Sequence, residues 1–224
     1  MGTAIGQSLP IAAGIALSPI PIIAVVLMLT SSRAAVNGPL FVVGWLVGMG
    51  IVGVIVLSVA GQAGASRSGA PTGWVAWLKL ALGVLLLVVA VRQFRGRPKE
   101  TDEPPMPKWM ASVDRTTPIA AAGLGLLSSG ANPKNLLLAV SGATAIAQTG
   151  IPGGEQVVAY VVFTVIGTLG VAIPVGVQVA LGARSATLLA RLKDWMGRYN
   201  AVIMSVLCLV FGVKVIGDAI SGLA

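Results

Sequence analysis

The chain has 224 residues, 56% of them apolar and only 10% charged, with a formal charge of +8, one cysteine and no histidine. Soluble domains carry about 25% charged residues, so this is the composition of a membrane protein. The missing histidine excludes imidazole catalysis and imidazole metal sites, and the single Cys208 excludes an intrachain disulfide or cysteine metal cluster. There is no GxxxxGK[ST] stretch to hold a nucleotide. The basic residues border apolar runs instead of forming one soluble face, which speaks against nucleic acid. No enzymatic activity and no cofactor or metal are expected.

Six stretches meet the requirement of about 20 apolar residues for a bilayer crossing: residues 9–31, 38–62, 72–93, 118–149, 154–182 and 197–221. The first has no positive residue before its apolar region and runs on too far for a secretory signal, so it reads as a retained span. The second contains no charge and carries Gly44 and Gly48, a small-xxx-small pair of the kind that lets helices approach closely. Such glycines serve packing within one chain or a homodimer. The fourth and fifth spans are longer than a crossing needs, which permits tilt or a break, and Pro174 suggests a kink in the fifth. Trp45 suits packing or lipid contact.

Lysine and arginine collect after the first, third and fifth spans: Arg33; then Arg92, Arg95, Arg97, Lys99, Lys108 and Arg115; then Arg184, Arg191, Lys193 and Arg198. The opposite loops hold only Arg67. By the positive-inside rule the chain is a multi-pass plasma-membrane protein with both termini outside the cytoplasm. The Pro-rich, mixed-charge segment 94–117 is a cytoplasmic linker near the membrane surface, with Trp109 and Met110 dipping into the interface or solvated. Residues 1–93 and 118–224 then form two three-span repeats of opposite orientation. The expected fold is an all-α integral membrane protein of six transmembrane helices in two inverted repeats. Its first and fourth helices are broken or kinked at mid-membrane.

Those two helices carry matching motifs, Ser18-Pro19-Ile20-Pro21 and Asn132-Pro133-Lys134-Asn135, whose first prolines lie 114 residues apart. Serine and asparagine are good N-caps and proline suits the first helical position. Each motif therefore reads as the start of a half-helix, a kinked continuous helix being the alternative. Lys134 stands 16 residues from one end of its span and 15 from the other, too deep to snorkel easily. Its burial costs at least about 2.5–3.5 kcal/mol, and as the second residue of a half-helix it also faces the positive end of a dipole. All seven acids lie in loops or near helix ends. Its compensation must come from carbonyls of broken helices, a water-filled cavity, loss of the proton, or a bound anion.

Lys134, Asn132, Asn135, Pro133, Ser18, Pro19 and Pro21 are thus the candidate substrate-binding residues. Lys79 and Lys214, near outer helix ends, are expected to snorkel. Tyr160, Thr164, Thr168 and Gln178 are further polar groups, with interhelical hydrogen bonding the simpler account.

This combination of six spans, an early proline pair, Asn-Pro-Lys in the fourth span and a charged central linker resembles the lysine exporter superfamily. It is most similar to the actinobacterial glycolipid-addressing branch, also called the sulfolipid-addressing family, over essentially the whole chain. The resemblance implies a transporter or flippase that moves a cell-envelope glycolipid toward the outer surface, with a membrane lipid as substrate. The superfamily's redox branch needs paired cysteines and its metal branch intramembrane acids, and this chain lacks both. Export of amino acids or another small solute by alternating access is the second reading, and an accessory subunit of a larger export machine the third. The lipid reading expects a cavity open toward lipid and the solute reading an aqueous vestibule.

Overall fold

The computed structural model describes residues 1–62, 73–97 and 116–223. These residues form eight α-helices: α1 (Gly2–Ala16), α2 (Pro19–Leu29), α3 (Ala34–Gln62), α4 (Gly73–Arg95), α5 (Pro118–Gly130), α6 (Pro133–Ala147), α7 (Gly153–Leu181) and α8 (Ser185–Leu223). There is no strand among them. Arg67 and residues 98–115 of the expected 94–117 linker, Trp109 and Met110 among them, lie outside the described residues, while Phe94 and Arg95 close α4 instead of opening the linker.

Both proline motifs break their helices. Pro19 has no N–H for the Ile15 carbonyl, so α1 stops at Ala16 and α2 leaves at an angle of 53°. Pro133 does the same to the Ser129 carbonyl and separates α5 from α6. By contrast Pro174 sits inside α7, which continues unbroken from Gly153 to Leu181.

Among the described residues three helical stretches are long and apolar enough to cross a membrane: Ala34–Ala60, Ala76–Arg95 and Gly153–Gly222. The bent pair α1–α2 makes a fourth. The expected fourth span is divided into helices of 13 and 15 residues, each about 20–23 Å long and too short to cross alone. The stretch Gly153–Gly222 covers 70 residues, roughly 105 Å of helix against a core of about 30 Å. It is divided by a 3-10 turn at Gly182–Arg184, where Gly182 takes φ +52°.

The final helix corrects the reading of the sequence in one respect. Arg191, Lys193 and Arg198 belong to α8, which begins at Ser185, and not to a loop. Ser185, Leu189 and Met196 recur at helical spacing on its buried side, Arg191 and Arg198 take the other side, and Lys193 stands half-buried at the edge of the stripe.

The packing pairs each broken helix with a long helix of the other half. α1 lies on α7 and α5 on α3, while α4 lies on α8. Glycine makes these approaches close: a Cβ at Gly170 would strike the Ala16 carbonyl, one at Gly44 the Ala122 carbonyl, and one at Gly125 the Phe41 carbonyl. Gly44 and Gly48 therefore serve packing within the chain. Trp45 is fully buried beside Phe41. Large apolar side chains point outward in number, among them Val54 (69% exposed), Ile119 (86%) and Val179 (78%). This is the surface of a protein solvated by lipid.

Candidate functional site

The two breaks meet, and the polar network between them follows from the carbonyls that they free. In a continuous helix the Gly14 carbonyl would accept from the Ser18 N–H and the Ser128 carbonyl from the Asn132 N–H. Both are released by the breaks. Lys134 Nζ donates to the Gly14 carbonyl at 2.6 Å and to Ser18 Oγ at 2.8 Å. Ser18 Oγ in turn donates to Asn135 Oδ1 at 2.6 Å, and Asn135 Nδ2 donates to the Ser128 carbonyl at 2.9 Å. One relay thus caps the ends of α1 and α5 at equivalent positions, each four residues before its capping residue.

Local chemistry decides which side chains are free for this. Asn132 caps α6 through Oδ1, which accepts from the Lys134 N–H at 3.1 Å. Ser18 occupies the corresponding position before α2, but its hydroxyl makes no capping bond. With Pro21 at the third helical position, one of the two N–H groups that a serine cap would reach is missing. Its hydroxyl serves Lys134 and Asn135 instead.

Magnitudes show why the lysine is tolerated. Hydrogen bonds to a charged group contribute about 1.5–3 kcal/mol each, and two of them offset the ~2.5–3.5 kcal/mol minimum cost of a lysine at this depth. The ammonium also stands at the carbonyl end of α1, where the helix dipole favours a cation, although its own helix α6 opposes it. Of the compensations open to this lysine, the carbonyl of a broken helix is seen directly. Lys134 is 2% exposed, and Ser18 and Asn135 are buried with it.

Next to this network lies a cavity of about 330 Å³ among four helices. α2 contributes Ile20, α4 contributes Val89, Arg92 and Gln93, α6 contributes Asn132, Pro133 and Lys134, and α8 contributes Met204. Arg92 and Pro133 are exposed, so the cavity opens to the surface. One cation stands at its mouth and the buried Lys134 forms part of its wall.

The proposed residues therefore divide. Asn132, Pro133 and Lys134 line the cavity, Ser18 and Asn135 stand behind it in the relay, and Pro19 and Pro21 set the break and are buried in α2. Arg92 and Gln93 escaped attention because an arginine at a helix end looks like an ordinary topology signal. Its only hint was the adjacent glutamine on the last turns of an otherwise apolar span. Gln178 lies elsewhere, accepting from Ser185 at the α7–α8 turn. Tyr160 donates to the Met49 carbonyl of α3 at 2.8 Å and Thr168 to the Thr164 carbonyl of its own helix at 2.7 Å.

Lys214 is 32% exposed and reaches Asp218 at 2.7 Å, as a snorkelling lysine can. Lys79 is the more deeply buried of the two. It is 8% exposed because it shares the buried stripe of α4 with Leu82, Leu86 and Ala90. Among the described residues no cluster of histidine, cysteine or acidic side chains could hold a metal.

Neither the curated proteins nor the solved structures contain a match to this chain. A family model described as Sap, sulfolipid-1-addressing protein, matches residues 9–221. That span takes in both proline motifs, the relay and every residue of the cavity, and the chain belongs to the sulfolipid-1-addressing protein family.

Proposed function

We propose that this protein is a transporter or flippase that moves an anionic envelope lipid across or out of the plasma membrane. The head group enters the cavity and the acyl chains stay in the bilayer. The observation that carries this reading is the cavity itself: open at the surface, apolar through Ile20, Val89 and Met204, and cationic at Arg92. About 330 Å³ accommodates a head group but not a whole lipid, and small-molecule sites start near 300 Å³. Family membership supports a lipid as the cargo. Arg92 offers a planar fork of donors to phosphate or sulfate oxygens.

In this reading the chain crosses the membrane six times as two inverted repeats, with α1–α2 and α5–α6 as the broken spans and both termini outside. Support comes from the exchange of partners, α1 on α7 and α5 on α3, and from relay ends that match across the halves. Lys134 acts as a clamp: while it holds Gly14 and Ser18, the angle between α1 and α2 is fixed. Movement of the head group past the cavity depends on that fixed arrangement, because without Lys134 the broken helices no longer hold the cavity wall in place.

The test is reconstitution in liposomes with fluorescent phosphate- and sulfate-headed lipids. Arg92→Gln is expected to slow lipid movement at least tenfold, the value of one charge-assisted contact of about 1.5 kcal/mol or more. Lys134→Met is expected to stop it. Unchanged movement in both variants, or saturable export of an amino acid with no lipid movement by the wild type, refutes the proposal.

A further inference from the structure

The last helix is longer than a membrane crossing requires. The 39 residues of α8 make roughly 58 Å of helix, against about 30 Å of hydrocarbon and about 40–45 Å with the head groups. No charge lies between Arg198 and Lys214, and the 20 residues from Arg198 to Asp218 span about 30 Å. Arg198 therefore stands at one edge of the hydrocarbon, and the turns before it pass into the head-group layer.

Those turns carry an exposed face of mixed chemistry. Arg191, Trp195, Arg198, Tyr199 and Val202 are all exposed, Trp195 at 54% and Tyr199 at 44%. At 3.6 residues per turn they fall within an arc of about 100° and along about 17 Å of helix. Trp195 and Tyr199, one turn apart, hold their ring centres 5.7 Å from each other, and the two arginines flank them. The arc contains no acid, since Asp194 lies outside it and is paired with Lys193 at 3.4 Å. Met204, which lines the cavity, projects from the opposite side of α8, so this face is separate from the cavity.

We propose that this face of α8 is a binding site for anionic phospholipid head groups, which holds the first turns of α8 at the membrane surface. Arginine forks match phosphate oxygens, and indole and phenol rings, with a polar tip on an apolar body, favour this depth. A second copy of the chain is the poorer occupant, because pairing these faces sets arginine against arginine. A lipid held here fixes the depth of α8 and with it the position of Met204 in the cavity wall. Only that consequence for the cavity rests on the function proposed above; the binding itself does not.

Trp195 reports on the site directly. The full chain is reconstituted in phosphatidylcholine vesicles containing brominated phosphatidylglycerol or, at equal mole fraction, brominated phosphatidylcholine. The anionic lipid is expected to quench tryptophan fluorescence more, and Trp195→Phe to remove the excess. Arg191→Gln and Arg198→Gln should each lower the relative affinity for the anionic lipid about fivefold, the effect of one arginine beside an anionic lipid surface. Arg191→Lys and Arg198→Lys retain the charge and should retain most of the preference, which separates loss of the site from loss of the fold.

Equal quenching by the two brominated lipids overturns the proposal, as does an excess that survives in Trp195→Phe or in the Arg191→Gln/Arg198→Gln double variant. An excess that fades as the protein is diluted in lipid marks a surface formed between copies and also overturns it. So does relief of the excess by inorganic sulfate where chloride of matched ionic strength has no effect, because the ligand is then a free anion. An excess that resists both treatments supports a lipid head group. Quenching at Trp195 does not depend on transport, so this site and the cavity reading can fail separately.

Discussion

At the scale of single residues, the decisive group is a backbone carbonyl. Gly14 carries no side chain, and nothing around it announces a cation partner. It becomes one because Pro19 ends a helix nearby. The sequence made the isolated lysine and the two proline motifs legible, but not the acceptor, since a freed carbonyl exists only once the break has formed. Ser18 and Asn135 were recognisable as polar groups near the break, and their joining into a relay depends on how the two halves dock. Because Ser18 Oγ links Lys134 to Asn135, the two outer groups should not act independently. Ser18→Ala is expected to cost about 1–2 kcal/mol in a reversible micelle unfolding measurement. Combined with Asn135→Ala it should show a coupling of 0.5 kcal/mol or more, in the range of residues sharing one network. Strict additivity would contradict the relay.

At the scale of elements, six apolar stretches could be counted from hydropathy, but their internal construction could not. The division of the fourth stretch into α5 and α6 follows from one proline at its middle, and a mid-span proline is compatible with either a kink or a break. The early start of α8 was hidden because its charges resemble a loop until the buried positions 185, 189 and 196 are set on one face. Close approach between elements yields a sharp expectation. Gly44→Val and Gly125→Val place a side chain on the backbone of the facing helix, which cannot turn aside as a rotamer can. Each should cost about 3 kcal/mol or prevent accumulation of folded protein, the upper end for overpacking. Gly50→Val, on the same α3 but with open space around it, should have a thermal midpoint near that of the wild type. Similar effects at all three positions would show that the α3–α5 contact is not as close as described.

At the scale of the whole molecule, charge distribution gave an orientation that labelling can examine. Single cysteines introduced in the Cys208→Ala background at Thr3 and at Gln93 are expected to label from opposite sides with a membrane-impermeant maleimide. Thr3 should react from outside and Gln93 only after permeabilisation. Labelling of both from the same side would remove the orientation on which the direction of any transport depends.

The exchange of partners between the halves also bears on how the protein is made. α1 emerges first, yet the helix it rests on, α7, begins only at Gly153. Until then Ile11 and Ile15, buried in the finished protein, face lipid or whatever else is nearby, and the ammonium that caps Gly14 has only recently been synthesised. Insertion and folding are therefore separate events for the first half. Residues 1–93 expressed alone should enter the membrane and remain loosely packed, then recover protease resistance when 118–224 is supplied on a second chain.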